Sequence, residues 1–333
     1  MREDVAARFT ALVESGALVA PLPGSGRTGE RFRALSDLGR ADLSLARLGE
    51  GHLDAVAILH ELDGPRPGPG ERWGVWAAQP PGPGLSAERR PEGWRLSGLK
   101  PYCSGARVCT HALVTADSDE GRRLFAVRVA EPGVSPVPGS WQAVGMAGSD
   151  TPDVTFSDVP ATPVGEVGQY VERPGFQHGG IGVAACWLGG ARAVADTLLA
   201  SARKRTPDAH TAAHLGAVDV LLGAAETVLA QAGDDIDADP LDALGDARVR
   251  SLRVRALAEQ VCTDVLGHVG RATGAGPLCH DARHARNVAD LTVYIRQHHA
   301  ERNLAELGQL LAEREDADRD ETDRDGTDRE AGR

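Results

Sequence analysis

Two histidine pairs, His210/His214 and His280/His284, are spaced i,i+4. That spacing puts both rings of a pair on one helix face, where a transition metal can be held. Neither pair has the H-E-x-x-H form or an obvious third ligand, so polar helix faces account for them. Gly180–Ala185, GIGVAA, has the spacing of a loop that cradles a dinucleotide pyrophosphate. Such a loop must follow a strand and open a βαβ unit. The preceding ERPGFQH is not strand-like, so the small residues are assigned to close helix packing. His178, within FQHGGIG, titrates in the range useful for proton transfer near neutrality. The cysteines Cys103, Cys109, Cys186, Cys262 and Cys279 are odd in number and contain no C-x-x-C. They argue against a disulfide framework or a zinc site and for buried, reduced thiols.

Elements that could position such groups follow from pattern. Val5, Phe9, Leu12 and Val13 share a helical face, and helices are expected over 30–38 and 43–62. GPRPGPGER breaks this pattern, and from Trp73 the texture changes. WGVWAAQ, GWRLSG, HALVTA, RLFAVRV and DVTFSDV read as short strands separated by turn residues, suited to a compact antiparallel barrel or sandwich. From Gly179 the chain is helical again, with four helices expected over 180–205, 211–232, 240–270 and 282–311 as an up-down bundle. The expected domains are therefore 1–72 (helical), 73–170 (β) and 171–312 (helical bundle), with 313–333 a disordered charged tail. The fold class is α+β: an N-terminal helical domain, a middle antiparallel β-domain and a C-terminal four-helix bundle. A formal charge of −12 argues against nucleic acid and anionic membrane as partners. No apolar run of 18 residues and no signal-peptide pattern is present, so a cytoplasmic protein without a membrane span is expected.

Two segments within the β-region narrow the chemistry. Gly93–Ala106, GWRLSGLKPYCSGA, carries Lys100, Tyr102 and Ser104 as a G-x-K strand end followed by an aromatic-x-Ser step. Gly145–Gly165, GMAGSDTPDVTFSDVPATPVG, carries Gly145, Met146, Ser149, Thr151, Val154, Phe156, Asp158, Val159 and Gly165 as a G-M-x-x-S-x-T segment, a V-x-F-x-D-V strand and a V-G turn. In this order and at this separation, the chain resembles the acyl-CoA dehydrogenase family of flavoproteins, over roughly residues 73–304. The N-terminal helical part is short for that family.

The resemblance implies FAD as cofactor. A flavin needs a hydrogen-bond donor near N5 and a flat surface beside the ring. By resemblance Ser104 supplies the donor, Tyr102 the surface, and Cys103 the backbone between them. AAQPPGPG (Ala77–Gly84) stands where the family carries T-E-P-x-A-G-S-D, with Gln79 in the place of the Glu. The missing Ser of that loop weakens the match to CoA esters more than the match to flavin. Arg203, in SARKR, stands near the family's pyrophosphate-binding Arg, and Gly270 near its Gln-x-x-Gly-Gly segment. These contacts would cross a subunit interface, implying a homodimer or homotetramer.

In the family a carboxylate removes the substrate α-proton while hydride leaves for flavin N5. The family's Glu position, counted from HDAR, falls on Ala289, beside Asp290. In relatives with the base on the first bundle helix, the position falls near His178. Asp290 and His178 are therefore the candidate bases. The implied function is FAD-dependent α,β-dehydrogenation of an acyl thioester or related small substrate. The thioester would be on CoA or a carrier protein, with an electron-accepting flavoprotein or reductase as partner. Two alternatives stand beside it: a flavin monooxygenase of the same fold, with His178 in the site and no need of an α-proton base, and a catalytically silent structural paralogue.

Overall fold

The computed structural model describes residues 2–79, 82 and 84–314. Most of the charged tail and the prolines at 80, 81 and 83 lie outside the described residues.

Three helices open the chain: α1 (Arg2–Glu14), α2 (Thr28–Ala41) and α3 (Leu43–Glu61). Asp42 caps α3, accepting the Leu45 N–H at 3.0 Å, while its other oxygen takes Arg8 Nη1 at 3.0 Å. One capping carboxylate thus ties α1 to the start of α3. Seven strands follow among the described residues: β1 (Trp73–Trp76), β2 (Leu85–Arg90), β3 (Gly93–Lys100), β4 (His111–Ser118), β5 (Gly121–Arg128), β6 (Val134–Pro136) and β7 (Val154–Val164). β4, β2, β3, β7 and β5 pair in that order, and β5 pairs back onto β4, closing a ring. β1 extends the sheet from β4, and β6 lies on β7.

The expected all-antiparallel sheet needs correction. β1 and β2 both run parallel to β4, while the other pairings are antiparallel. β2 and β6 were also not expected. β2, LSAERR, buries only Leu85 and Ala87 and presents charge elsewhere. β6 is three residues ending in proline.

The ring has two buried faces. Trp76, Leu96, Val114, Phe125, Val154 and Phe156 fill its interior. Leu113, Leu124 and Val164 point the other way, onto Ala55, Ile58 and Leu59 of α3. Alternation along β4 and β5 therefore serves two cores at once.

The C-terminal region contains α4 (Gln169–Glu172), α5 (Pro174–Lys204), α6 (Ala209–Ala238), α7 (Ala247–Thr273), α8 (Gly276–His280) and α9 (Ala282–Tyr294). A fourth continuous helix was expected over 282–311. Instead the chain breaks through a short 3-10 turn at Ile295–Gln297 and resumes as helix over 300–314. Glu313 and Arg314, expected in the tail, are helical, and Arg314 Nη1 meets Asp246 Oδ1 at 2.5 Å.

The opening helices and the bundle share one core. Phe9, Phe32, Leu35 and Leu43 pack with Ile181, Trp187, Val261 and Leu291. α2 crosses α5 at two glycines: a Cβ at Gly39 would strike the Cys186 carbonyl, and one at Gly189 the Ser36 carbonyl. Glycine is required there for backbone-to-backbone approach.

α5 and α6 each carry an 18-residue stretch apolar and long enough to cross a membrane by composition alone. That stretch is 61% buried in α5 but only 17% in α6. Val220 and Val228 of α6, with Leu241 and Leu244 just beyond it, are exposed. Of the five cysteines, Cys103, Cys109, Cys186 and Cys262 are buried as expected; Cys279 is exposed.

Candidate functional site: the Tyr102–Ser104 turn

β3 ends at Lys100, whose ammonium turns inward and donates to Thr115 O and Thr115 Oγ1, both at 2.7 Å. Burial lowers its pKa to about 8. Beyond it the chain reverses. Tyr102 adopts a left-handed backbone with φ 57°. Its N–H points to Asp153 Oδ1 at 3.3 Å. Cys103 N–H donates to Pro152 O at 2.9 Å, and Gly105 N–H to Ser149 O and Asp150 O, each at 2.9 Å. The two segments that carry the resemblance are thus laced together by their backbones.

Hydroxyls complete the junction. Thr151 Oγ1 donates to Ser104 Oγ at 3.1 Å. Ser149 Oγ lies 2.8 Å from Thr151 Oγ1 and donates to Met146 O at 2.8 Å. A hydroxyl has one hydrogen and two acceptor lone pairs. With Thr151 as donor, Ser104 keeps its own hydrogen to offer. Trp76 Nε1 donates to Ser104 O at 3.0 Å and holds the turn from inside the ring of strands; sequence reading did not single out this anchor. Beside it Tyr102 is 58% exposed, a large side chain left open on the turn. A flat exposed face beside a hydroxyl donor, on a Ser104 that is itself 7% exposed, is the pairing a flavin ring needs. Cys103 differs: it is fully buried, its thiol donates to Lys100 O at 3.2 Å, and burial pushes its pKa well up. Its N–H is already given to Pro152 O, so Cys103 shapes the turn from within and presents no free donor to a ligand.

Asp290 lies on α9, beneath the second segment. Its Oδ1 accepts the Met146 N–H at 2.5 Å. The carboxylate is 3% exposed, beside Ser44, Asp42 and Arg286. Burial raises its pKa to about 6, opposed by the Met146 hydrogen bond. The neighbouring position, Ala289, presses its carbonyl against Gly145 so closely that no Cβ fits there. Asp290 is therefore held at a helix–turn junction, joined to Ser104 through Met146, Ser149 and Thr151.

The other candidates lie apart. His178 is buried near the start of α5, with Nε2 3.2 Å from Pro240 O and Nδ1 without a partner among the described residues. Burial lowers its pKa, which favours the neutral ring. Arg203, in the last turn of α5, and Gly270, near the end of α7, are both exposed. They share one end of the bundle: Gly270 is two residues from His268, whose Nδ1 is 2.9 Å from that of His214 at the start of α6. His178 marks the opposite end. Gln79 is exposed just past β1. The turn thus gathers Tyr102, Cys103 and Ser104 and reaches Asp290 indirectly.

No protein-family model and no curated protein matches the sequence. Solved structures do match. The chain is similar to KijD3, solved with FMN and dTDP-3-amino-2,3,6-trideoxy-4-keto-3-methyl-D-glucose, at 21% identity and TM-score 0.78, covering 91% of this chain and 85% of that one. It is similar to TdsC from Paenibacillus sp. A11-2, solved with FMN and indole, at 18% identity and TM-score 0.77, covering 93% and 95%. It is also similar to butyryl-CoA dehydrogenase from Megasphaera elsdenii, at 18% identity and TM-score 0.72, covering 84% and 80%. The chain has the acyl-CoA dehydrogenase fold that these flavoproteins share.

Proposed function

We propose that this chain is a flavin-dependent oxidoreductase that binds its flavin against the Tyr102–Ser104 turn, and that its chemistry does not draw on Asp290 as an α-proton base. The observation that carries this is the Asp290–Met146 hydrogen bond. A general base must reach the proton it removes. This carboxylate is buried and faces a backbone N–H. His178, neutral and buried on Pro240 O, is no better presented. A flavin monooxygenase of this fold needs no such base, and that reading fits best. TdsC, a dibenzothiophene monooxygenase, shares the fold.

When bound, the flavin supplies two-electron redox chemistry and, once reduced, reactivity toward oxygen. The residues of this chain do the rest. Ser104 offers a hydroxyl to the ring edge, Tyr102 covers a face, and Thr151 and Ser149 hold the Ser104 oxygen. FAD is the form that the family resemblance implies, with Arg203 and Gly270 reaching the pyrophosphate of a flavin bound to a neighbouring subunit. KijD3 and TdsC were solved with FMN, so the cofactor released from the purified protein is to be identified by mass. A reductase would deliver the electrons. The enzyme would be a soluble, cytoplasmic homo-oligomer, with the apolar face of α6 covered by a second copy.

Acyl thioester dehydrogenation is the second reading. The raised pKa of Asp290, about 6, favours it, because a catalytic base works best when its pKa nears the operating pH. One experiment separates the two. The flavin-loaded protein is mixed anaerobically with a panel of acyl-CoAs, and separately reduced and exposed to oxygen with indole as trial substrate. Oxygen-dependent product formation without thioester bleaching supports the monooxygenase. Bleaching by a thioester overturns it. A protein that binds flavin and does neither is the silent paralogue.

A further inference from the structure

The bundle interior beside the flavin turn is unexpectedly charged. Glu50 of α3 is buried and pairs with Arg47 Nη1 at 2.5 Å. Arg31 of α2 is buried within electrostatic reach of Glu50 and Asp54. Arg255 of α7 stacks 4.8 Å above the Trp187 ring and donates to Gly180 O at 2.6 Å. Trp187 of α5 meets Tyr294 of α9 edge-on, with centroids 6.2 Å apart. Glu50, Arg47 and Arg255 all act electrostatically on Tyr294, so these side chains form one neighbourhood.

Two imbalances mark it. First, three guanidiniums, which stay charged in proteins, face two carboxylates, Glu50 and Asp54. Second, three donors from three different helices have no acceptor among the described residues: Arg47 Nε, Trp187 Nε1 and Tyr294 OH. Trp187 is 0% and Tyr294 2% exposed. Leaving a buried donor unpaired is unfavourable, and an acceptor-rich, negative group would answer all three.

The neighbourhood borders the flavin turn. A Cβ at Gly105 would meet both Cys109 Sγ and Leu48 Cδ2 at 2.9 Å. Leu48 follows Arg47 on α3, and Arg47 acts in turn on Cys109. A group held at Arg47 and Tyr294 would therefore sit on the α3 side of the Ser104 turn.

We infer that Arg47, Trp187 and Tyr294 form a subsite for an oxyanion of the substrate, a carboxylate or phosphate, so that the substrate is an acidic small molecule and not a plain aliphatic or aromatic one. This rests on the flavin site proposed at Tyr102–Ser104 for its catalytic meaning, though binding itself is testable without it. Arg47 Nε–H and Tyr294 O–H would hold the anion's oxygens, and Trp187 Nε1–H would cap it. Glu50 remains the counter-ion of Arg47.

The test follows the tryptophan indole N–H resonances of the full-length, 15N-labelled protein, with whatever flavin it carries. Trp187→Phe assigns one signal. Sodium acetate and sodium phosphate are titrated separately, with sodium chloride at matched ionic strength as control. Saturable movement of the Trp187 signal with acetate or phosphate, but not chloride, is expected, and the stronger of the two names the anion. Tyr294→Phe is expected to weaken binding by about 10-fold or more, the loss of a hydrogen bond to a charged group. Its melting temperature should be unchanged or higher, because the hydroxyl has no partner to lose. No saturable movement with either anion, or movement that Tyr294→Phe leaves untouched, overturns the inference. Flavin content, read by absorbance on the same samples, is a separate result. Anion binding without flavin would sink the flavin reading alone; flavin without anion binding would sink this one alone.

Discussion

Asp290 Oδ1 accepts the backbone N–H of Met146 at 2.5 Å, and Met146 opens the turn in a left-handed backbone with φ 59°. A helix carboxylate thus holds in place the residue whose carbonyl receives the Ser149 hydroxyl. One of the two candidate bases read from the sequence is, in the fold, the clamp of the Met146–Ser149 turn that lies against Ser104.

Replacing this clamp separates the two roles. Asp290→Ala leaves a buried N–H without an acceptor, at an expected cost of about 1–3 kcal/mol. Asp290→Asn keeps an acceptor oxygen at the same distance and should retain most of the stability and the bound-flavin spectrum. Thermal melts and absorbance spectra of both variants check this. Equal loss of flavin binding in both would contradict a clamp.

The same group gives a pH signature. Its folded pKa is raised to about 6 from an ordinary 3.8. Between these values the folded state holds a proton that the unfolded chain has released. The contribution of Asp290 to stability is therefore greatest below pH 3.8 and falls as pH rises to about 6. Melting temperature against pH for the wild type, minus that for Asp290→Asn, should fall across this window and be level above it. A difference that rises with pH would contradict the assignment.

Thr151→Val removes the hydroxyl between Ser104 and Ser149. The Ser104 oxygen then loses its donor, so flavin affinity should drop about 5–10-fold, the worth of one net hydrogen bond of about 1–1.5 kcal/mol. A flavin titration followed by fluorescence reads it. Unchanged affinity would place the ring elsewhere.

Val220, 70% exposed on the sparsely buried α6, is the probe for assembly. Val220→Asp should shift the protein from dimer or tetramer to monomer in sedimentation while leaving its melting transition within a few degrees. An assembly unchanged by the substitution would move the interface off this face.

Much of the architecture was legible because it rests on local pattern. The helical period over Val5 and Phe9, and the Val- and Phe-rich strands, announced elements that tertiary packing had no reason to override. The parallel pairing of β1 and β2 with β4 was not legible, because partner and direction are set by long-range closure of the ring. The break at 295–299 was hidden because the residues on both sides, Leu291 and Leu304, keep an apolar rhythm. The motif around Tyr102 and Ser104 led to the turn, yet not to Trp76, whose indole supports it from an ordinary-looking strand. Glu50 and Arg31 were read past because single charges on amphipathic helices are normally solvated. Their signal lay in position: each sits within the apolar face, among Leu45, Leu48, Leu53 and among Phe32 and Leu35.

The most direct test of the central claim is flavin binding at the turn. The purified protein is reconstituted with FAD and, separately, FMN, dialysed, and its absorbance spectrum recorded beside those of Ser104→Ala and Tyr102→Ala. Retained flavin bands are expected for the wild type, with a spectral shift in Ser104→Ala and weakened retention in Tyr102→Ala. A protein that retains neither flavin, or one whose spectrum and affinity both variants leave unchanged, would contradict the account.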